Sequence, residues 1–279
     1  MKIKAFAKIN LFLEIIGKRP NGYHDLEVVS IPINLFDSIH LSVSDKHEMT
    51  CDKHYIPVDS KNSMAKAMTL MQAKYPQIDN QKIHLVKNVP SMAGLGGGSA
   101  DAAAIIQILN KEYQLEMSRQ ELIDIAIQVG SDVPYCLFNQ ASIINGMGEI
   151  LTPFKRNLDF YIFLVKPSFG VSTKAMFDAF AFKDEPFKKA NQVVIALEKS
   201  DYPLLIKTMF NRLQEVAIKE FPRIQEIIDD LEAFGFDKVM MSGSGSVVYG
   251  ITQDEALCDR AITHYVKRYP FVKKARILR

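Results

Sequence analysis

Residues 90–103, Pro90-Ser-Met-Ala-Gly94-Leu-Gly96-Gly97-Gly98-Ser99-Ala-Asp101-Ala-Ala, leave a chain few ways to fold. A short strand pattern at 83–86 runs into Pro90, glycines and a hydroxyl crowd the turn, and an Ala- and Ile-rich helical stretch follows at 101–109. Glycines let backbone N–H groups turn toward one point with no Cβ in the way. At a helix N-terminus those amides add to the helix dipole, which makes a site for a polyphosphate. A Walker A loop would need a lysine after the glycines, and none follows. A dinucleotide fingerprint starting at Gly94 would need glycine where Ser99 stands. Taken alone, the segment also reads as a flexible turn with Ser99 as helix N-cap.

Composition removes other classes. The 279 residues are 48% hydrophobic and 24% charged, ordinary for a globular protein and long enough for one large domain or two modest ones sharing a cleft. Lys and Arg number 34 against 32 Asp and Glu, a net +2 without the basic face expected of a nucleic-acid binder. Cys51, Cys136 and Cys258 stand far apart with no metal-ligand spacing, which points to reduced thiols. Charge interrupts the first residues, and no apolar run reaches membrane-spanning length. The expectation is a cytoplasmic protein with no membrane or nucleic-acid partner; monomer and homodimer both stay open.

Strand patterns are expected at 3–16, 28–35, 39–43, 83–86, 160–165, 238–241, 247–251 and 272–278. Helical spacing marks 62–75, 101–109, 119–128, 174–180, 191–198, 202–209, 224–234 and 253–266. The second half runs strand, helices, strand, strand, helix, strand, which suggests an α+β sandwich. The irregular stretch at 149–157 reads as the linker, giving domains at 1–152 and 153–279.

Three further segments carry chemistry. Lys8, in Phe6-Ala7-Lys8-Ile9-Asn10-Leu11, lies on a strand between apolar neighbours, where a buried lysine needs a carboxylate or phosphate partner. By itself it also fits a strand edge with its ammonium in solvent. Gly130-Ser131-Asp132-Val133-Pro134-Tyr135 offers a carboxylate, which could equally cap a turn before Pro134. Met241-Ser-Gly243-Ser-Gly245-Ser246 is a second tight glycine turn between two strand patterns.

These segments, in this order, resemble the three motifs of the GHMP kinases. The loop matches their Pro-x-x-x-Gly-Leu-Gly-Gly-Gly-Ser element, with Phe6 in place of the usual proline in the first motif and Ser246 in place of alanine in the third. The resemblance implies a two-domain α+β fold: a ribosomal-protein-S5-like N-terminal ATP-binding domain and a ferredoxin-like C-terminal domain. It implies ATP held by Pro90, Gly94, Leu95, Gly96, Gly97, Gly98 and Ser99, with the Ser99 hydroxyl on a phosphate or on the Mg2+ that accompanies it. Asp132 would take the acceptor's proton, and Lys8 would keep that carboxylate ionised and orient the hydroxyl. Gly243 and Gly245 would support the loop and border the substrate, and Asn10 would touch the substrate near the reacting hydroxyl.

Gly17-Lys-Arg19-Pro-Asn-Gly22-Tyr23-His24-Asp25-Leu26 resembles the Gly-x-Arg-x-x-Gly-Tyr-His-Glu-Leu stretch of the diphosphocytidyl-methylerythritol kinases of non-mevalonate isoprenoid synthesis. Pro167-Ser-Phe-Gly170-Val171-Ser172-Thr173 and Asn145-Gly-Met-Gly148-Glu149-Ile-Leu-Thr-Pro153 are similar to two more segments of that family. The resemblance implies a substrate carrying a cytidine diphosphate, phosphorylated on its C2 hydroxyl. Tyr23 would stack on the cytosine, His24 would bond its edge, Thr173 would touch the substrate, and Phe177 would close the other face. An exposed Tyr-His turn and a core Phe177 remain the plain alternatives. Asn211-Arg212-Leu213-Gln214 departs from the family's Asn-Asp-Leu-Glu. A kinase for another alcohol, or a family member that binds without turnover, stays the rival reading.

Overall fold

A computed structural model describes residues 1–278 and divides the chain into two compact units, each assembled from separated stretches. The first joins Met1–Ala7, Leu35–Val89 and Gly96–Asn139; the second joins Lys8–Asn34, Pro90–Leu95 and the chain from Gln140 onward. Strands β1 (Lys2–Lys18) and β2 (His24–Val43) contribute residues to both. The patterns at 28–35 and 39–43 are therefore one long strand rather than two, with Asp37 buried midway.

The first unit adds β3 (Glu48–Cys51), α1 (Ser63–Lys74), β4 (Gln81–Val86), α2 (Gly97–Glu112), α3 (Arg119–Val129) and the single turn α4 (Val133–Cys136). β4 runs antiparallel to β2 from Ser38↔Val86 to Val43↔Gln81, and β3 lies parallel to β4. Met64, Ala67, Met68 and Met71 recur at helical spacing, which is why α1 forms and buries that stripe. Asn62 Oδ1 caps it by accepting from the Met64 amide, and α1 packs on α2. Each buried aliphatic chain of this kind adds about 1.5–3 kcal/mol.

The second unit holds β5 (Ser142–Gly146), β6 (Ile150–Pro153), β7 (Tyr161–Lys166), α5 (Thr173–Ala179), α6 (Asn191–Lys199), α7 (Tyr202–Thr208), β8 (Phe210–Asn211) and α8 (Arg212–Glu220). It ends with α9 (Arg223–Phe234), β9 (Lys238–Met241), β10 (Val248–Thr252), α10 (Glu255–Tyr265) and β11 (Phe271–Arg276). Its four-stranded antiparallel sheet has the order β11-β7-β10-β9, with α9 and α10 packed on it. That is the β-α-β-β-α-β arrangement expected of the second half. Ile162, Phe163, Leu164 and Val165 are wholly buried, as a central apolar run requires. β5 pairs antiparallel with the first half of β2, and β6 pairs with β5. Part of the stretch read as a linker is thus strand.

Candidate active site

The glycine segment is where the sequence places the chemistry, and α2 opens inside it. Helix geometry starts at Gly97 rather than at 101, and the N-cap is Gly96, in the left-handed region at φ 68°. No side chain caps this end, so Ser99 is not the N-cap; it lies in the first turn, half-buried. A helix of 16 residues thereby presents unsatisfied N–H groups and its positive dipole end. Gly98 is exposed, while Gly97 is buried so tightly that a Cβ would lie 2.9 Å from Val89 Cγ1.

Pro90–Leu95 belongs to the second unit and docks on the second glycine turn. Ser242 Oγ donates to the Gly94 carbonyl at 3.0 Å, and the Ser246 and Val247 amides donate to Met92 and Ala93. A Cβ on Gly94 would meet Ser242 O at 1.8 Å, and Gly94 sits at φ 71°. Gly243 and Gly245 also have positive φ. The motif 241–246 therefore buttresses the loop, and the backbone contact admits nothing larger than hydrogen.

Lys8 is 4% exposed, so it is not a strand-edge lysine in solvent. Its Nζ donates to Asn10 Oδ1 at 2.6 Å, and Asn10 Nδ2 donates to Ser30 Oγ at 2.7 Å. The Lys8 amide donates to the Leu95 carbonyl, and a Cβ on Gly243 would fall 3.4 Å from Lys8 Nζ and 3.0 Å from Asn10 Oδ1. Lys8, Asn10, Gly94 and Gly243 therefore converge within one unit. Thr173 Oγ1 and Ser244 Oγ share a hydrogen bond of 2.8 Å, which brings Thr173 to the same glycine turn.

Asp132 lies in the first unit at the N-cap position of α4, but its side chain makes no capping bond. Capping does not explain the carboxylate. The neighbouring Tyr135 is wholly buried, and burial pushes its hydroxyl well above the usual value, with Cys136 and Asp132 adding to the rise.

His24 and Phe177, far apart in sequence, stack with ring centroids 5.3 Å apart and planes at 24°. Phe180 and Phe182 also face His24, at 6.1 and 6.2 Å. Burial among these rings lowers the His24 pKa, Lys18 lowers it further, and Asp178 opposes both. Met176, not Phe177, is the buried core residue of α5, and Tyr23 is 60% exposed. Arg19 connects two of the segments: it pairs with Asp25 at 2.6 Å and reaches Glu149 at 3.5 Å, while Glu149 Oε2 accepts from the Met147 amide. Asp25, which stands where the family has glutamate, makes the closer of these two pairs.

The supporting roles of several residues escaped the sequence reading, which met Asn211-Arg212-Leu213-Gln214 only as a departure from the family pattern. Asn211 Nδ2 donates to the carbonyls of Met241 and Gly243, and Gln214 Oε1 accepts from the Met241 amide, so α8 holds the second glycine turn. Arg212 is buried and forms a two-pronged pair with Glu14, 2.7 and 2.8 Å, and also bonds Glu185. Burial alone would raise the Glu14 carboxyl, but Arg212 and the Lys188 and Ile15 amides bring it below its ordinary value. The basic residue that breaks the family pattern thus has its carboxylate on β1. Lys87, Asp37 and Asp101 form a third buried group beneath the start of α2. A lysine at a strand end and two separated aspartates gave no signal, because only β2–β4 pairing brings them together.

Comparison with known proteins gives the family. The signature of the GHMP kinases N terminal domain matches residues 62–140, and that of the GHMP kinases C terminal region matches 193–270. A putative 4-diphosphocytidyl-2-C-methyl-D-erythritol kinase of Streptococcus equi subsp. zooepidemicus is 40% identical over 93% of this chain and 92% of its own. A 4-diphosphocytidyl-2-C-methyl-D-erythritol kinase of Clostridium beijerinckii is 35% identical over 96% of this chain and 97% of its own. A crystal structure of 4-(cytidine 5'-diphospho)-2C-methyl-D-erythritol kinase superposes with a TM-score of 0.83, at 27% identity and 99% coverage of both chains. The chain belongs to the GHMP kinases and, within them, to the 4-diphosphocytidyl-2-C-methyl-D-erythritol kinase family. It is accordingly a small-molecule kinase with ATP as phosphoryl donor. The three cysteines are free, and among the described residues no helix is long and apolar enough to cross a membrane.

Proposed function

We propose that this chain transfers the γ-phosphoryl group of ATP to the C2 hydroxyl of 4-diphosphocytidyl-2-C-methyl-D-erythritol, giving the 2-phosphate for isoprenoid precursor synthesis by the methylerythritol phosphate route. The observation that carries the substrate is the stack of His24 on Phe177, since two independent family segments meet there. Cytosine takes its place among these rings, with Tyr23 and Phe177 on its faces and His24 on its edge. Thr173, Gly243 and Gly245 line the remainder of the substrate, and Asn10 bonds it near the reacting hydroxyl. In domain terms, 1–152 carries the ATP loop and 153–279 completes the substrate site.

The chemistry follows from what phosphoryl transfer requires. The free amides at the start of α2 hold the phosphates. Asp132 orients the acceptor hydroxyl and takes its proton as the new O–P bond forms and ADP leaves. Lys8, whose donors face Asn10, neutralises charge near the reacting oxygen. Among the described residues no cluster of three or more His, Cys, Asp or Glu is placed to hold a metal ion. Mg2+ accompanying the nucleotide would spread the phosphate charge, with the half-buried Ser99 hydroxyl on a phosphate or on that ion.

Measuring ATP consumption with the diphosphocytidyl substrate beside mevalonate and homoserine tests the reading. Turnover with the first alone is expected; comparable turnover with either of the others would assign a different alcohol. Asp132→Asn should lower kcat by about 100- to 10,000-fold and leave ATP affinity unchanged. Turnover within a few-fold of the parent would remove Asp132 from the role of base.

A further inference from the structure

The entry to and exit from the glycine loop are fastened by one buried charge cluster. Asp37, on β2 and wholly buried, accepts from the Asn88 and Val89 amides at 2.6 and 2.8 Å through Oδ1, which fixes the chain as it enters the loop. Its other oxygen accepts from Lys87. Lys87 Nζ donates in addition to Asp101 Oδ2 at 2.7 Å, and Asp101 lies one turn into α2, where the chain leaves the loop. Lys87 and Asp101 are 5% and 3% exposed. The ammonium also fills the space under Gly97: a Cβ there would stand 3.0 Å from Nζ.

This arrangement is costly for a structural tie. Asp101 Oδ1 is buried with no hydrogen-bond partner among the described residues, and two carboxylates share one lysine. An apolar trio of similar volume would close the same neck without leaving a charge to desolvate. What apolar residues could not do is hold two backbone amides and a helix turn at fixed directions from a single point. The uncapped first turn of α2 needs such fixing, because its N–H groups recognise phosphate only when they point at it.

We propose that Lys87, held between Asp37 and Asp101, is the positioning residue of the phosphate loop, setting the direction of the α2 amides and hence affinity for the triphosphate part of ATP. The inference rests on the reading of that helix start as the ATP-phosphate site. Lys87 touches no substrate in this role. It acts through Gly97, Val89 and the first turn of α2.

The test pairs Lys87→Met/Asp101→Asn, which removes the bridge while leaving Asp37 its two amides, with the milder Asp101→Asn. Steady-state kinetics are run together with inhibition by inorganic tripolyphosphate and binding of adenosine. For the double variant, KM for ATP and Ki for tripolyphosphate should rise together by about 10-fold or more, with KM for the alcohol and Kd for adenosine within about two-fold. For Asp101→Asn the same two constants should rise by about three-fold, and this variant decides the matter if the double one does not fold. Unchanged tripolyphosphate inhibition in folded variants overturns the proposal, and so does a uniform rise in all four constants, the mark of general loosening. If the parent enzyme itself is not inhibited by tripolyphosphate, the phosphate-site reading fails first and this one with it.

Discussion

The start of α2 and the His24 cluster, the two regions proposed to recognise the substrates, are built from opposite materials. At α2 the groups on offer are backbone amides, and side chains contribute by being absent: Gly97 has no room for a Cβ, and Gly96 turns through a conformation that L residues seldom adopt. Around His24 the surfaces on offer are side-chain rings, three from phenylalanines of one segment, on backbone that any residue could adopt. The contrast predicts different failure modes. A backbone site is lost outright when one atom is added, whereas an aromatic site weakens by steps as rings are removed.

The sharpest test of that contrast is Gly94→Ala. A Cβ 1.8 Å from Ser242 O, at φ 71°, cannot be absorbed by a flexible neighbour, since the opposing atom is backbone. Stability should fall by roughly 3–5 kcal/mol in a denaturant titration. A loss under about 1 kcal/mol would mean the loop has freedom to move away from the second glycine turn. Gly97→Val comes next: isothermal calorimetry on the folded variant should show ATP affinity reduced by about 100-fold or more, near 3 kcal/mol. Unaltered affinity would take the phosphates away from this loop.

Effects at the rings should be smaller and graded. Phe177→Ala and Tyr23→Ala should each weaken the diphosphocytidyl substrate by roughly 1–3 kcal/mol while KM for ATP stays put. The double variant should be non-additive if both rings flank one base. Should both single variants keep full affinity, the cytidine reading would fall and the kinase reading would stand. The mildest test is pH. Burial depresses the His24 pKa below its ordinary value near 6.5, so the ring takes up its proton at lower pH than a free imidazole. A base with a depressed folded pKa contributes stability above the unfolded value that is lost as pH falls below it. KM for the cytidine substrate should therefore be flat from about pH 8 to 6.5 and rise a few-fold below. His24→Asn should abolish that rise.

Much of this was legible because it is local. The stripe of Met64, Ala67, Met68 and Met71 specifies α1 within a dozen residues, and the apolar run 162–165 specifies a central strand. The loop's tight backbone geometry was legible from glycines whose scarcity of atoms is itself the signal. What stayed hidden depends on pairing across long separations. Asp37 looks like a strand break until β4 lies beside β2 and gives it two amides and a lysine to hold. Arg212 looks like a departure until Glu14 is found opposite it. Short elements such as β8 exist only through their partner, Phe12↔Phe210 and Leu13↔Asn211, and have no pattern of their own to read.

The threading of each compact unit through separated stretches gives the chain a timetable. On a ribosome adding about 5–20 residues per second, the first unit has all its segments once Asn139 has emerged. Lys8–Asn34 has a different history, because its companions in the second unit begin only at Gln140 and its β8 partner arrives at Phe210. For several seconds the nascent enzyme carries Leu11, Phe12 and Leu13 as apolar surface with no finished unit around them. Chaperone capture during synthesis should concentrate on that early strand, and a pause in translation before Phe210 should lengthen its exposure.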